Sequence, residues 1–324
     1  MRKMLTYIGI ALAVAAVFAG LYFTERTRSG VVDKSPEAAI PYQIDRYEAV
    51  EPALIGYRET GQIKPALSRL RGLACGPDNA VYVTGDARLL IFDPAGTPIA
   101  DLELGSEAKC LAVSPDHLLY LGMKNEIRVI DRQGQIRQSW QTGSENSVIT
   151  SIAVGDKDVF VADAVQKVVL HYDRAGELLN RIGEADRENG RSGFILPSLF
   201  FDLALDDEGF LWVVNPGLHT LENYTREGAL RASWTRTSYG TDGFSGCCNP
   251  THLAILPDGS FVTSEKGLAR VKIHERTGDL RTVVAAPGDF QKGTVGLDLA
   301  VDARGRVLVL DPRMGAVRVF EKKG

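Results

Sequence analysis

The chain has 324 residues, of which 44% are apolar and 24% charged, and its formal net charge is −4. This composition is typical of a folded globular protein, with enough residues for one sizeable core or two small ones. The mild negative charge argues against nucleic-acid binding, because such surfaces need clustered cationic side chains. We therefore expect no nucleic-acid partner.

The first element in the chain is an uncharged apolar run, residues 4–23, preceded by Arg2 and Lys3. At about 1.5 Å per helical residue, a run of this length spans about 30 Å, the thickness of a bilayer hydrocarbon core. A cleaved signal peptide is one interpretation, since Val17-Phe18-Ala19 offers a passable cleavage site. The length favours an uncleaved anchor, because signal-peptide cores usually have roughly 7–15 residues.

Residues 1–24 are therefore predicted to be a transmembrane anchor or signal segment, with membrane contact through residues 4–23. Residues 25–42 mix small, charged and proline residues without a sustained period, so they are predicted to be a linker. The remainder, residues 43–324, is predicted to be exported. The expected localisation is a single-pass membrane protein with its folded domain on the extracytoplasmic (periplasmic) side.

Beyond residue 65 the sequence repeats one unit six times. Each unit opens on an apolar pair that ends in alanine: Leu73-Ala74, Leu111-Ala112, Ile152-Ala153, Leu203-Ala204, Leu253-Ala254 and Leu299-Ala300. The pairs are 38, 41, 51, 50 and 46 residues apart. Units of this length that contain four short strands are the signature of β-propeller blades.

Turn signals separate the predicted strands within each unit. An Asx-rich or Pro-Asp turn follows the first strand, and a glycine turn follows the third in five units, at Gly96, Gly134, Gly176, Gly228 and Gly278. Trp140 and Trp234 occupy matching positions in predicted fourth strands. We expect both indole rings to pack between blades.

The two ends of the repeat region predict how the ring closes. The sixth unit has only three strands before the chain reaches Gly324, and residues 47–63 form an alternating apolar segment ahead of the first unit. If that segment supplies the missing strand, the two open edges of a linear array disappear. The predicted fold class is all-β: a six-bladed β-propeller closed by an N-terminal strand and preceded by one transmembrane helix.

One unit carries a family resemblance. Residues 159–183, "VFVADAVQKVVLHYDRAGELLNRIG", resemble the NHL repeat, with its strand, Ala-Asp step, second strand and Asp-x-x-Gly turn. The resemblance implies a six-bladed NHL-like propeller. Proteins of this class commonly bind partner proteins, and some bind RNA.

The repeat alignment also predicts a ring of residues at the mouth of the central channel. The positions just before the apolar pairs are Gly72, Cys110, Ser151, Asp202, His252 and Asp298. The segment "GCCNP" falls in the loop between the fourth and fifth units, so Cys247, Cys248 and Asn249 are expected near the same mouth. These residues and Cys110, Asp202, His252 and Asp298 are the candidate ligand-binding set.

Three interpretations of this cluster remain open. His252, Asp202 and Asp298 can be metal ligands for a divalent ion, zinc or calcium. Cys247 and Cys248 can form a vicinal disulfide in an oxidising compartment. Alternatively, the two cysteines are reduced thiols that fill space beneath a turn.

These observations predict a membrane-anchored extracytoplasmic scaffold that binds a protein partner or a small ligand through the loop face at its channel mouth. The alternative is a metal-dependent lyase or lactone hydrolase with its ion in the central channel. Lyases of the peptidylglycine amidating type and gluconolactonase-like hydrolases are six-bladed propellers similar to this one. No general base stands out in the sequence, so whether the chain is an enzyme stays open.

Overall fold

The computed structural model describes residues 47–186, 188 and 192–324. The predicted anchor, residues 1–24, and the predicted linker, residues 25–42, lie outside the described residues. Within the described ranges, no helix is both long and apolar enough to cross a bilayer. The described residues form one compact unit.

The described chain forms six four-stranded antiparallel sheets, which confirms the predicted six-bladed propeller. The strands of each blade are given from the channel outward. Blade 1 contains β2 (Gly72–Cys75), β3 (Val81–Gly85), β4 (Arg88–Phe92) and β5 (Pro98–Glu103), and blade 2 contains β6 (Cys110–Val113), β7 (Leu119–Gly122), β8 (Glu126–Ile130) and β9 (Ile136–Gln141). Blade 3 contains β10 (Ile149–Val154), β11 (Asp158–Asp163), β12 (Val168–Asp173) and β13 (Leu178–Ile182).

Blades 4 to 6 continue the pattern. Blade 4 contains β14 (Leu203–Leu205), β15 (Leu211–Asn215), β16 (Thr220–Tyr224) and β17 (Leu230–Thr235). Blade 5 contains β18 (His252–Ile255), β19 (Phe261–Glu265), β20 (Arg270–His274) and β21 (Leu280–Ala285). Blade 6 contains β22 (Leu299–Val301), β23 (Val307–Asp311), β24 (Ala316–Lys322) and, outermost, β1 (Tyr57–Ile63). Short 3₁₀ turns that start at proline lie at Pro52–Leu54, Pro216–Leu218 and Pro287–Asp289.

The ring closes through its N-terminal strand, as the alternating segment at residues 47–63 predicts. β1 pairs antiparallel with β24, with Tyr57 opposite Lys322 and Ile63 opposite Val317. Ile63 is buried in a cluster that also contains residues of blade 1, such as Leu73 and Phe92. The closing strand therefore fills the seam between the last blade and the first.

Apolar clusters between neighbouring blades form the core. All five predicted glycine turns adopt positive φ, which a residue without Cβ tolerates best. A Cβ at Gly176 would lie 2.8 Å from the indole of Trp140, on the outermost strand of the preceding blade. The other four glycines face the corresponding side chain of the preceding blade in the same way: Ile63, Leu102, Ile182 and Trp234. Trp140 and Trp234 therefore pack between blades.

The antiparallel order also assigns every connection to a face. The loops from a fourth strand to the next blade and the turns between second and third strands lie on one side of the disc, which we call the mouth face. The other turns lie on the opposite side. Adjacent innermost strands contact one another around the ring, and they enclose an axial channel of about 290 Å³.

Candidate functional site at the channel mouth

The mouth end of the channel is polar. Of the six ring positions predicted from the repeat, four line the channel, together with Thr150: Cys110, Ser151, Asp202 and Asp298. Gly72 and His252 are not among the lining residues. Three positions further along each innermost strand, the lining consists of Cys75, Val113, Val154, Leu205, Ile255 and Val301. A polar ligand therefore finds side-chain partners only at the mouth end.

Asp202 and Asp298 tie neighbouring blades together. Asp298 Oδ2 accepts a hydrogen bond from the Leu73 amide of blade 1 at 2.8 Å, so it links the last blade to the first. Asp202 Oδ2 accepts from the Leu253 amide of the next blade at 2.7 Å. The Oδ1 atom of each aspartate accepts a hydrogen bond from the amide of the next residue in sequence, Leu203 or Leu299. Both carboxyl groups thus have a structural role and still face the channel.

The two carboxyl groups also interact electrostatically. Burial raises the pKa of Asp202 to about 6. Burial and the charge of Asp202 together raise the pKa of Asp298 to about 8. Burial, followed by the charges of Asp298 and Asp202, also raises the pKa of the Cys110 thiol, so this thiol stays protonated at neutral pH. A cation in the channel would relieve the repulsion between the carboxylates.

The loop that carries the paired cysteines, residues 236–251, is held by a fully buried ion cluster. Glu265 accepts from Arg270 at 2.9 Å and from Lys272 at 2.8 Å, and the side chains of all three are inaccessible to solvent. Although burial opposes its charged form, Lys272 and Arg270 hold the pKa of Glu265 below its usual value. Burial lowers the pKa of Lys272 to about 8, against the effect of Glu265.

The same three side chains contact the loop backbone. Arg270 donates to the Gly240 carbonyl at 3.0 Å, and Lys272 donates to the Gly243 carbonyl at 2.5 Å. The Ser245 amide donates to Glu265 Oε2 at 3.2 Å. Because each loop group is bound to a buried charge, the loop is fixed against blade 5.

Asn249 fastens the end of this loop. It is buried, and its Nδ2 donates to the carbonyls of Ser245 and Lys266 at 2.6 and 3.0 Å. Its Oδ1 accepts from the Lys266 amide at 2.9 Å. These bonds use both of its donors within the protein, so the structure gives Asn249 a positioning role in the predicted ligand-binding set.

Cys247 and Cys248 lie side by side on the mouth face. All four cysteines of the chain are free thiols, and Sγ of Cys247 is 3.2 Å from Sγ of Cys248. Cys247 is exposed and Cys248 is buried. Although burial opposes ionisation, the neighbouring polar groups of Lys266, Cys247 and Ser198 hold the pKa of Cys248 below its usual value. The disulfide between the two remains a prediction.

His252 contacts Thr251, Ser264 and Phe200 and is not among the residues that line the channel. Its Nδ1 is 3.1 Å from Thr251 Oγ1 and 3.3 Å from Ser264 Oγ, and its ring meets Phe200 edge-on at 5.5 Å. Burial lowers the pKa of His252 to about 4, so the imidazole is neutral at pH 7. Among the residues that the structure describes, no three His, Cys, Asp or Glu side chains are grouped to hold a metal ion.

Sequence reasoning missed Lys266, Phe200 and Ser198, which complete the surroundings of Cys248 and His252. Lys266 Nζ lies 5.0 Å above the Phe200 ring. A signal for Lys266 was present, because it begins the turn between the second and third strands of blade 5 and such turns share the mouth face with the long loops. Phe200 and Ser198 lie in the long loop before blade 4, where no repeat alignment assigns positions.

Comparisons with known proteins identify the fold and no family. No family model matches the chain, and no curated protein matches it in sequence. A solved structure described as a streptogramin B lyase is similar over 84% of this chain and 100% of its own, with a TM-score of 0.57 and 11% sequence identity. At this identity the likeness supports the propeller fold alone. The NHL relationship therefore remains a resemblance.

Proposed function

We propose that this chain is a membrane-anchored extracytoplasmic propeller that binds a partner protein or a small ligand at its mouth face. The observation that carries the proposal is the position of its exposed apolar side chains. Six of them lie in mouth-face connections, mainly around blades 3 to 6: Val165, Ile195, Leu199, Leu218, Val295 and Met314. These are six of the eleven large apolar side chains that are exposed in the described chain, and exposed apolar groups that share one face are typical of an interaction surface.

Two of these side chains, Leu199 and Val295, are next in sequence to Phe200 and Gly296, which lie close to one another. Phe200 contacts both Lys266 and His252, and a Cβ at Gly296, which follows Val295, would lie 3.8 Å from the Phe200 ring. The patch therefore combines apolar area, one ammonium group and two thiols beside the channel opening. Such a mixture of an apolar surface with a few fixed polar groups supports specific binding.

Site-specific photocrosslinking tests this function. A benzoylphenylalanine at Leu199, which is 57% exposed, is expected to crosslink the partner in membranes of the source cell. The same residue at Ile136, which is 62% exposed on an outermost strand, provides the matched control. Equal labelling at both positions, or no adduct at Leu199, would reject the mouth face as the binding surface.

The membrane anchor is a separate part of the proposal and has its own test. It is supported by the length and apolar character of residues 4–23. Full-length protein is expected in the carbonate-resistant membrane fraction, and external protease should digest the propeller in cells with a permeabilised outer layer. Recovery of a shortened soluble chain would instead indicate a cleaved signal peptide.

A second candidate function is a cation-dependent lyase or hydrolase, and the channel carboxyl pair favours it. Asp202 and Asp298 face one channel with raised pKa values, and hard cations such as Ca²⁺ prefer carboxylate and hydroxyl oxygens. Zinc suits this site less, because His252 does not line the channel. One divalent ion per purified chain, lost on Asp298→Asn, would support this function. If no divalent ion binds after reconstitution, an enzyme that depends on an ion at Asp202 and Asp298 is ruled out.

A further inference from the structure

The thiols of Cys247 and Cys248 lie close together on the mouth face, and the binding of a partner protein does not require this proximity. Their sulfur atoms are 3.2 Å apart, close enough for both to bind one ion after a small side-chain rotation. Cys247 is exposed, so its side chain is free to rotate and solvent reaches the pair. Cys248 is buried on a loop that Asn249 and the Glu265 cluster fix. One mobile and one fixed sulfur donor together can form a bidentate site for an ion.

The surroundings of the pair suit an anionic complex. Lys266 places an ammonium group against the Cys248 thiol, and the same group lies 5.0 Å above the Phe200 ring. The Ser198 hydroxyl oxygen is buried, has no hydrogen-bond partner among the described residues, and helps to lower the pKa of Cys248. A positive charge and an uncommitted hydroxyl therefore stand beside two sulfur atoms.

We propose that Cys247 and Cys248 chelate one soft monovalent cation of low coordination number, for which Cu⁺ is the probe. Each thiol loses one proton and forms one S–Cu bond, so one ion displaces two protons and no electron is transferred. The resulting complex carries one negative charge, which Lys266 balances. The ion, the two thiolates and the ammonium group together are electrically neutral.

The number and kind of donor atoms select the ion. Thiolates favour soft ions, and structural zinc sites almost always use four ligands. The described chain offers no third His, Cys, Asp or Glu side chain that groups with the two cysteines. Two sulfur atoms satisfy an ion that is stable with few ligands, and they leave zinc under-coordinated. We therefore expect Cu⁺ to bind much more tightly than Zn²⁺.

The test uses the purified full-length chain in detergent, reduced and kept under argon so that a Cys247–Cys248 disulfide cannot compete. Cu⁺ is titrated against the chromophoric chelator bicinchoninate, and bound copper, proton release and alkylation of Cys247 are measured together. We expect one Cu⁺ per chain, two protons released per ion, and protection of Cys247 from alkylation. Zn²⁺ at equal concentration should neither displace copper nor protect the thiol.

Substitutions separate this site from the other thiols. Cys247→Ser and Cys248→Ser should each abolish stoichiometric binding, whereas Cys75→Ser, at the far end of the channel, should not change it. Lys266→Met should weaken binding roughly fivefold, the effect of one unit charge about 4 Å away in a water-like dielectric. Circular dichroism checks that each variant is folded.

Three results would overturn the proposal: full copper binding by Cys247→Ser, tighter binding of Zn²⁺ than of Cu⁺, or no protection of Cys247 in the wild-type chain. The last result depends on no variant, so it holds even where a serine substitution unfolds the loop. None of these results bears on crosslinking at Leu199. Failure of the copper site can therefore be distinguished from failure of the proposed binding function.

Discussion

Replacement of Glu265 by glutamine tests whether a buried ion cluster fixes the thiol loop. The change keeps the size of the side chain and removes its charge. It leaves the buried cations Arg270 and Lys272 without an anionic partner. It also weakens the hydrogen bond that Glu265 accepts from the Ser245 amide. Both losses act on the same loop.

The expected cost is large because these side chains have no access to solvent. Removal of one partner from a buried ion pair typically costs about 3–5 kcal/mol, since the remaining charge stays desolvated. For a domain of this size, each kcal/mol corresponds to roughly 2 °C in the melting temperature. We therefore expect Glu265→Gln to lower the melting temperature by about 6–10 °C.

Urea unfolding followed by tryptophan fluorescence measures the free energy of unfolding. The matched control is Asp207→Asn, which removes the anion of an exposed pair with Arg276 at 3.1 Å. Exposed pairs contribute about 0.2–1 kcal/mol, so the control should differ little from wild type. Equal effects of the two substitutions would refute the claim that burial makes the Glu265 cluster important. Faster alkylation of Cys247 in Glu265→Gln would show that the loop has loosened.

Three further predictions concern the channel and the blades. Burial raises the pKa values of Asp202 and Asp298, and the charge of Asp202 raises that of Asp298 further, so the folded state binds more protons than the unfolded chain between about pH 4 and pH 8. The free energy of unfolding should therefore fall as pH rises through this range, and Asp298→Asn should flatten the dependence in urea titrations at several pH values. Gly176→Ala places a methyl group against Trp140 at positive φ, whereas Gly267→Ala has a similar φ and open space. The first should cost about 1–3 kcal/mol more than the second in urea unfolding, and equal costs would exclude the ring contact. Ile63→Ala should lower the free energy of unfolding by about 2–5 kcal/mol, because it opens a cavity in the seam that closes the ring, and an effect below 1 kcal/mol would contradict that role.

The fold is largely predictable from the sequence because it repeats. Short strands between Asx and glycine turns predict each blade, and an incomplete sixth unit predicts that the segment before Gly72 completes it. β1 runs from Tyr57 to Ile63, within the predicted residues 47–63, and it takes the predicted place beside β24. The physical reason is that each blade is specified locally, and closure follows from the need to cover two sheet edges.

The candidate site was predictable only where it follows the repeat. Asp202 and Asp298 precede apolar pairs, so alignment alone places them at the channel. His252 occupies the equivalent sequence position, yet it contacts Thr251, Ser264 and Phe200 instead of lining the channel. Side-chain direction at the start of a strand depends on the loop that precedes it, and loops of different length have no common register.

Blade 5 shows how a small departure from the repeat creates a different surface. In blade 3, Asp163 ends the second strand and accepts hydrogen bonds from the amides of Val165 and Gln166 in its own turn and of Val148 in the preceding loop. Its equivalent in blade 5 is Glu265, which faces Arg270 across the strand pair as Asp163 faces Val168.

The extra methylene of Glu265 carries its carboxylate past the turn to Arg270, Lys272 and the Ser245 amide. The carboxylate at this position therefore binds a loop amide in both blades, and only in blade 5 does it also bind two buried cations. The buried charges bind the side of the loop that packs on blade 5. The opposite side of the loop exposes Cys247 to solvent, while Cys248 stays buried. The chemistry of the mouth face thus depends on one blade in which a longer carboxylate side chain binds two buried cations as well as a loop amide.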